Sequence, residues 1–188
     1  MRAHSKGVQG KLFVSRKLKS QGDLDGACFL YSIANAVISL DDAVDAENWS
    51  HAISSLRLRE CRSFFCQDVG TLDFDDNIRE LEEKIAKPFL KSLSGKKFAI
   101  TVTPGERQDL KDLIDENAVA IVGNREHWFV VTEVHEGTVF VACSYTFNDD
   151  GCKYHEEASP KFGHISNLRM KFSELHVFGG MIFRIERI

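Results

Sequence analysis

The chain has 188 residues, enough for one substantial hydrophobic core and too few for two full enzyme domains. Its 43% apolar and 28% charged residues are ordinary for a globular protein, and only 3 prolines exclude long proline-rich linkers. A formal net charge of -4 favours solubility and argues against broad electrostatic capture of nucleic acid, although Arg2, Lys6, Lys11, Arg16, Lys17 and Lys19 make the start locally basic.

Residues 1–20 carry one short apolar pulse, Leu12-Phe13-Val14, which reads as an N-terminal extension or an edge strand. The rest, 21–188, reads as a single domain. In QGDLDGACFLYSIANAVISL the aspartates and glycines at 22–26 form a turn, with Asp25 or Gly26 at the helix boundary. Phe29, Ile33, Ala36, Val37 and Leu40 then recur at helical spacing, while Leu30 and Ala34 fill the remaining surface. This helix is expected to be buried on more than one side. A second helix is expected from Glu47 to Arg59 and a longer one from Asn77 to Leu93, its last turns weakened by Pro88.

The period then changes. FAITV at 98–102 reads as a strand, and GERQDLKDLIDEN at 105–117 as a short helix. The strands AVAIVG, HWFVVTEV and TVFVACS follow almost without interruption, with Glu136-Gly137 as a tight turn between the last two. Residues 146–167 read as a loop, and GGMIFRIERI closes the chain as a strand with a place inside the sheet. Helices first and a mostly antiparallel sheet second define an α+β fold.

The 5 cysteines are Cys28, Cys61, Cys66, Cys143 and Cys152, an odd number that leaves at least one outside any intrachain disulfide. With a domain this size needing no disulfide staples, a reducing cytoplasmic setting is expected, or delivery from it without a cleaved signal. The polar start, Met1 to Gly10, is unlike a signal peptide, and no apolar run approaches the roughly 18 residues of a membrane span.

Two residues carry candidate chemistry. Cys28 opens the central helix, where the field of the helix terminus favours a thiolate and backbone N–H groups can hold an oxyanion. The alternative is a small buried hydrophobe in the first turn. His127 opens a strand after the loop at 123–126, a rigid rim suited to a general base, and Trp128 beside it can shield a bond to the ring. The alternative is a strand-end histidine bonded to the backbone. The residue that would orient His127 depends on strand parity. A two-residue turn makes His135 oppose Thr138 and puts His127 on a face with Ser144. A three-residue loop makes Val134 oppose Thr138 and puts His127 on a face with Cys143. Asp149 and Asp150 follow shortly after.

GDLDGACFLYSIANAV paired with the later HWFVVTEV and TVFVACS resembles the papain-like superfamily of cysteine peptidases, in particular the bacterial branch of bacteriocin-processing C39-like peptidases and related effector amidases. The resemblance spans residues 21–40 and 124–145. It implies a papain-like fold with the N-terminal helix packed on the sheet, Cys28 as nucleophile, His127 as base and Gln21 as an oxyanion-hole residue. It puts Cys143, followed by Ser144, where relatives carry the orienting Asp or Asn. The chain departs from the pattern in Phe29 after the nucleophile, in Gln21 lying seven positions before Cys28, and in Cys143 itself.

The function expected is a thiol hydrolase of peptide or protein amide bonds, a peptidase or glutamine deamidase, with no cofactor. The alternative is a catalytically weakened papain-like domain that binds or regulates a protein. Cys143, Cys152, His155 and His164 are residue types that bind zinc, but their spacing lacks the close cysteine pairs of structural zinc sites, so no metal is expected.

Overall fold

A computed structural model of the protein describes residues 18–19, 27–40, 44–56, 81–124, 127–145 and 156–188. Residues 1–17, Gln21, three of the cysteines (Cys61, Cys66 and Cys152), Asp149, Asp150 and His155 lie outside these residues.

Helix α1 is Cys28–Ser39, and every residue of it except Tyr31 is buried. That burial follows from apolar or small side chains all round the helix, as its sequence predicts. Its polar members are satisfied locally or by distant backbone. Ser32 Oγ donates to Cys28 O at 2.8 Å, and Ser39 Oγ to Ile165 O at 2.8 Å. The Asn35 amide accepts from Lys19 N at 2.6 Å and donates to Lys19 O at 3.1 Å, so it pairs with that backbone much as a strand neighbour would. Leu18, in the stretch read as an extension, thereby joins the core.

Helix α2 is Ala46–Ser55, shorter at its C-terminal end than the expected 47–59. Asp45 caps it, accepting from Asn48 N at 2.7 Å while the Asn48 side chain returns the bond. Helix α3, Lys87–Ser94, ends at Gly95, whose φ of 69° suits a residue without Cβ. Pro88 does not weaken its last turns as expected. The irregularity lies upstream instead, in a π-turn at Glu82–Ala86. Proline has no N–H to return to the preceding turn, and the helix stays continuous past it by widening into the π-turn, where Lys87 N–H reaches back to Glu82 O.

Strand β1 is Phe98–Pro104. The helix expected over 105–117 contracts to a 3-10 turn at Arg107–Asp109 and a single turn, α4, at Leu110–Leu113. Strands β2 (Ala118–Gly123), β3 (Trp128–His135) and β4 (Thr138–Ala142) follow. The segment read as a loop contains a small ribbon, β5 (Glu157–Ala158) with β6 (Ile165–Ser166), and runs directly into β7 (Leu168–Lys171). Strand β8 is Met181–Arg187.

The main sheet has the order β1-β8-β2-β3-β4-β7, with every pairing antiparallel. The terminal strand is interior, as its apolar run predicts. Both faces of the sheet are covered. On one, α1 packs over Val119, Ile121, Trp128, Val130, Ala142, Phe183 and Ile185. On the other, Leu110, Ile114 and Leu175 cover Ala120, Val122, Phe129, Val131, Val141 and Cys143. Coverage of both faces explains why β2 is a continuous apolar run and not an alternating one.

Candidate active site

Cys28 is the first residue of α1, after Ala27, which makes no side-chain cap. Phe29 beside it touches Trp128 edge-on at 5.1 Å and Phe183 at 4.9 Å. Trp128 opens β3, immediately after His127. The aromatic contact therefore brings the N-terminal end of α1 to the end of the sheet where the His127 loop lies. Gly123, paired with Trp128, makes room for the indole; a Cβ there would sit 3.3 Å from the ring.

His127 lies just before β3, not inside it. Its main chain is fixed by Asn124, whose side chain accepts from His127 N at 2.7 Å and whose N–H donates to His127 O at 2.9 Å. The ring is less constrained by polar groups. Its Nε2 is buried and has no hydrogen-bond partner among the described residues; the same holds for the neighbouring Trp128 Nε1. No pairing of Cys28 with His127 is evident among the described residues. The ring instead meets Tyr145, with centroids 5.8 Å apart and planes tilted by 53°.

Burial lowers the His127 pKa from 6.5 to about 4. The ring is therefore neutral at pH 7. Protonating it in this setting costs about 3 kcal/mol more than in water, from the linear relation between pKa and free energy. An anion within roughly 4–6 Å raises a pKa by about 1–3, so a thiolate drawn beside the ring is the kind of group that offsets the penalty.

The β3–β4 register answers the parity question in an unexpected way. The turn has two residues, with His135 opposite Thr138, which by itself predicts Ser144 on the His127 face. A bulge between Val131 and Glu133 then shifts the pairing, so that Val131 opposes Val141 and Val130 opposes Ala142. Continued toward the strand start, that register sets Tyr145 opposite His127 and gives the parity that puts His127 on a face with Cys143, the outcome expected of a three-residue loop. The His127 and Tyr145 rings are in contact. The side chain of Cys143 packs in the cluster on the sheet face away from α1, and Ser144 is buried. Gln21 lies outside the described residues.

Sequence reasoning missed two residues near this end of the sheet. Asn167 donates its amide to Cys143 O at 2.8 Å and accepts from Cys143 N at 2.9 Å, extending the β4–β7 ladder by a side chain. Tyr145 was passed over because its contact with His127 depends on the bulge. Of the weighed zinc ligands, His164 has its Nε2 within 2.8 Å of Asp115 O.

No protein-family model matches this chain, and no curated protein matches it. Among solved structures it is similar to the peptidase domain of Streptococcus ComA, a bi-functional ABC transporter involved in a quorum-sensing pathway, with a TM-score of 0.49 and 10% identity over 92% of this chain and 98% of that one. It is also similar to a double glycine motif protease from an AMS/PCAT transporter, crystallised with its leader peptide, with a TM-score of 0.47 and 11% identity over 93% of this chain and 96% of that one.

Proposed function

We propose that this protein is a thiol hydrolase of amide bonds in a peptide or protein, a peptidase or glutamine deamidase, built as one papain-like domain over 21–188 with residues 1–20 as an extension. The observation that carries the reading is the Phe29–Trp128 contact, which brings a helix-opening cysteine and the histidine just before β3 to the same end of the sheet. In this reading the Cys28 thiol gives its proton to His127, and the thiolate attacks the carbonyl carbon. The first-turn backbone N–H groups of α1, with Gln21, hold the oxyanion. His127 then passes the proton to the leaving nitrogen, and water, deprotonated by the same ring, hydrolyses the thioester. The resting geometry must tighten for this to happen, because the ring in the structure is neutral and turned to Tyr145.

The test is the pH profile of Cys28 alkylation by iodoacetamide, followed by mass spectrometry. An enzyme predicts a reaction faster than at the other four cysteines, with a midpoint below the ordinary thiol value of about 8.5, and slower reaction in His127→Ala. Cys28→Ala should fold and lose turnover. Intact masses of candidate partner proteins then separate cleavage from deamidation, by fragments or by a gain of one mass unit.

A second reading has its own support. No carboxylate among the described residues pairs with the His127 ring, and burial is the resolved cause of its low pKa. A papain-like domain of this kind that only binds a protein predicts that Cys28 reacts no faster than an ordinary buried thiol, with or without His127.

A further inference from the structure

A histidine that exchanges protons with a thiol needs its ring held at one angle, and a carboxylate or carboxamide usually does this by hydrogen bonding. Here the ring has no polar partner at Nε2 among the described residues, yet that nitrogen is buried and the ring is in contact with an aromatic side chain. The contact is built by three features of the chain. The bulge at Thr132 moves the end of β4 by one residue relative to β3, which brings Tyr145 opposite His127, where the unshifted register would bring the residue after it. Thr132 Oγ1 donates to Phe140 O at 3.1 Å and so gives the bulged residue a cross-strand bond of its own. Asn167 then clamps both backbone groups of Cys143 and donates its own N–H to Val141 O at 2.9 Å, so the chain leading into Tyr145 leaves the sheet on a defined path.

From this arrangement we propose that Tyr145 is a positioning residue for His127: its ring, aimed by the Thr132 bulge and the Asn167 clamp, holds the imidazole by ring contact in place of a hydrogen-bonding group. The proposal rests on the Cys28–His127 reading for its consequence in catalysis, and on the structure alone for the contact. A ring separation of 5.8 Å is inside the range of favourable aromatic pairs, and the planes are tilted by 53° to one another. Tyr145 itself is 59% exposed, so one side of it shields His127 while the other stays in water. The hydroxyl has no part in this role, which makes the proposal selective: phenylalanine should replace tyrosine and an aliphatic side chain should not.

The experiment is an NMR titration of the His127 ring in the full chain, with wild type, Tyr145→Phe, Tyr145→Ala and Tyr145→Leu, beside the pH profile of Cys28 alkylation. With Tyr145→Ala the ring becomes hydrated, and its proton affinity is expected to rise at least tenfold. Tyr145→Leu should widen the spread of ring environments, and Tyr145→Phe should stay within twofold of wild type. The Cys28 profile should shift in Tyr145→Ala and be restored in Tyr145→Phe. Because the side chain is exposed, these variants are expected to fold, and Asn167→Ala supplies an independent arm that disturbs the ring through the backbone. An unchanged His127 proton affinity in Tyr145→Ala, or failure of Tyr145→Phe to restore it, overturns the proposal. If Cys28 alkylation ignores His127 in every variant, the hydrolase reading fails separately, while the ring titration still decides whether Tyr145 holds the histidine.

Discussion

A half-buried neutral histidine contributes to stability with a definite sign. Its folded pKa, about 4, lies below the ordinary 6.5, so the unfolded chain binds the proton more readily between these values. The contribution is complete above pH 6.5 and is lost as pH falls through that window toward the folded pKa. Urea unfolding of wild type and His127→Gln at pH 7 and pH 4.5 should show the variant losing less stability on acidification, by about 2 kcal/mol. Equal acid sensitivity would mean that the ring is hydrated. Glu133 illustrates the opposite solution to burial at a neighbouring position. Its carboxylate is fully buried but accepts from Lys161 N at 3.0 Å and Phe162 N at 3.0 Å, so it ties the β5–β6 ribbon to β3. Glu133 meets its burial through two backbone donors while the His127 Nε2 has none among the described residues, and neither outcome was legible from residue type.

Among the elements, the β3–β4 hairpin decides most about the site. Its turn residues, Glu136 at φ 48° and Gly137 at φ 77°, both occupy the left-handed region that a two-residue hairpin turn requires. Glycine does this freely and glutamate does not. Glu136→Asn should therefore stabilise the protein, by about 0.5 kcal/mol, since asparagine tolerates that conformation and the exposed Glu136–His135 contact at 3.7 Å contributes little. Thermal unfolding checks this, and a fall in Tm would show that Glu136 has a stronger local role. The tight turn was readable because its signal is local. The bulge was not, because Thr132 is as suitable for a regular strand as for a bulged one. Its consequence is large for so small a defect: it moves Tyr145 opposite His127 and puts Cys143, not Ser144, on the His127 side of the register. The π-turn before Pro88 is similar, since a proline in a helical pattern announces a disturbance without saying which side of it yields.

For the whole molecule, the site depends on the core that joins α1 to the sheet. Phe29 is fully buried and touches both Trp128 and Phe183, which touch each other at 5.6 Å. Phe29→Ala removes this centre and should cost about 3–5 kcal/mol, a large part of the roughly 5–15 kcal/mol that holds a domain folded. Phe29→Leu should cost less than half as much. Equilibrium denaturation of the two variants measures both, and a small loss for alanine would mean that the helix end is not anchored by this cluster. Several features of this architecture were set by the sequence alone. The all-round apolar surface of α1, the helix-then-strand order, the buried run of β2 and the interior terminal strand all follow from side-chain periodicity, which is a local property. Tertiary structure alone decided the sheet register beyond Thr132, the face that takes Cys143, and the short strands within 146–167. Two-residue strands carry no readable period, and their partners lie far away along the chain. Ser39 meets Ile165 across 126 positions, and Asn167 meets Cys143 across 24. Register is a relation between segments, so its energy resides in contacts that no single stretch of sequence contains.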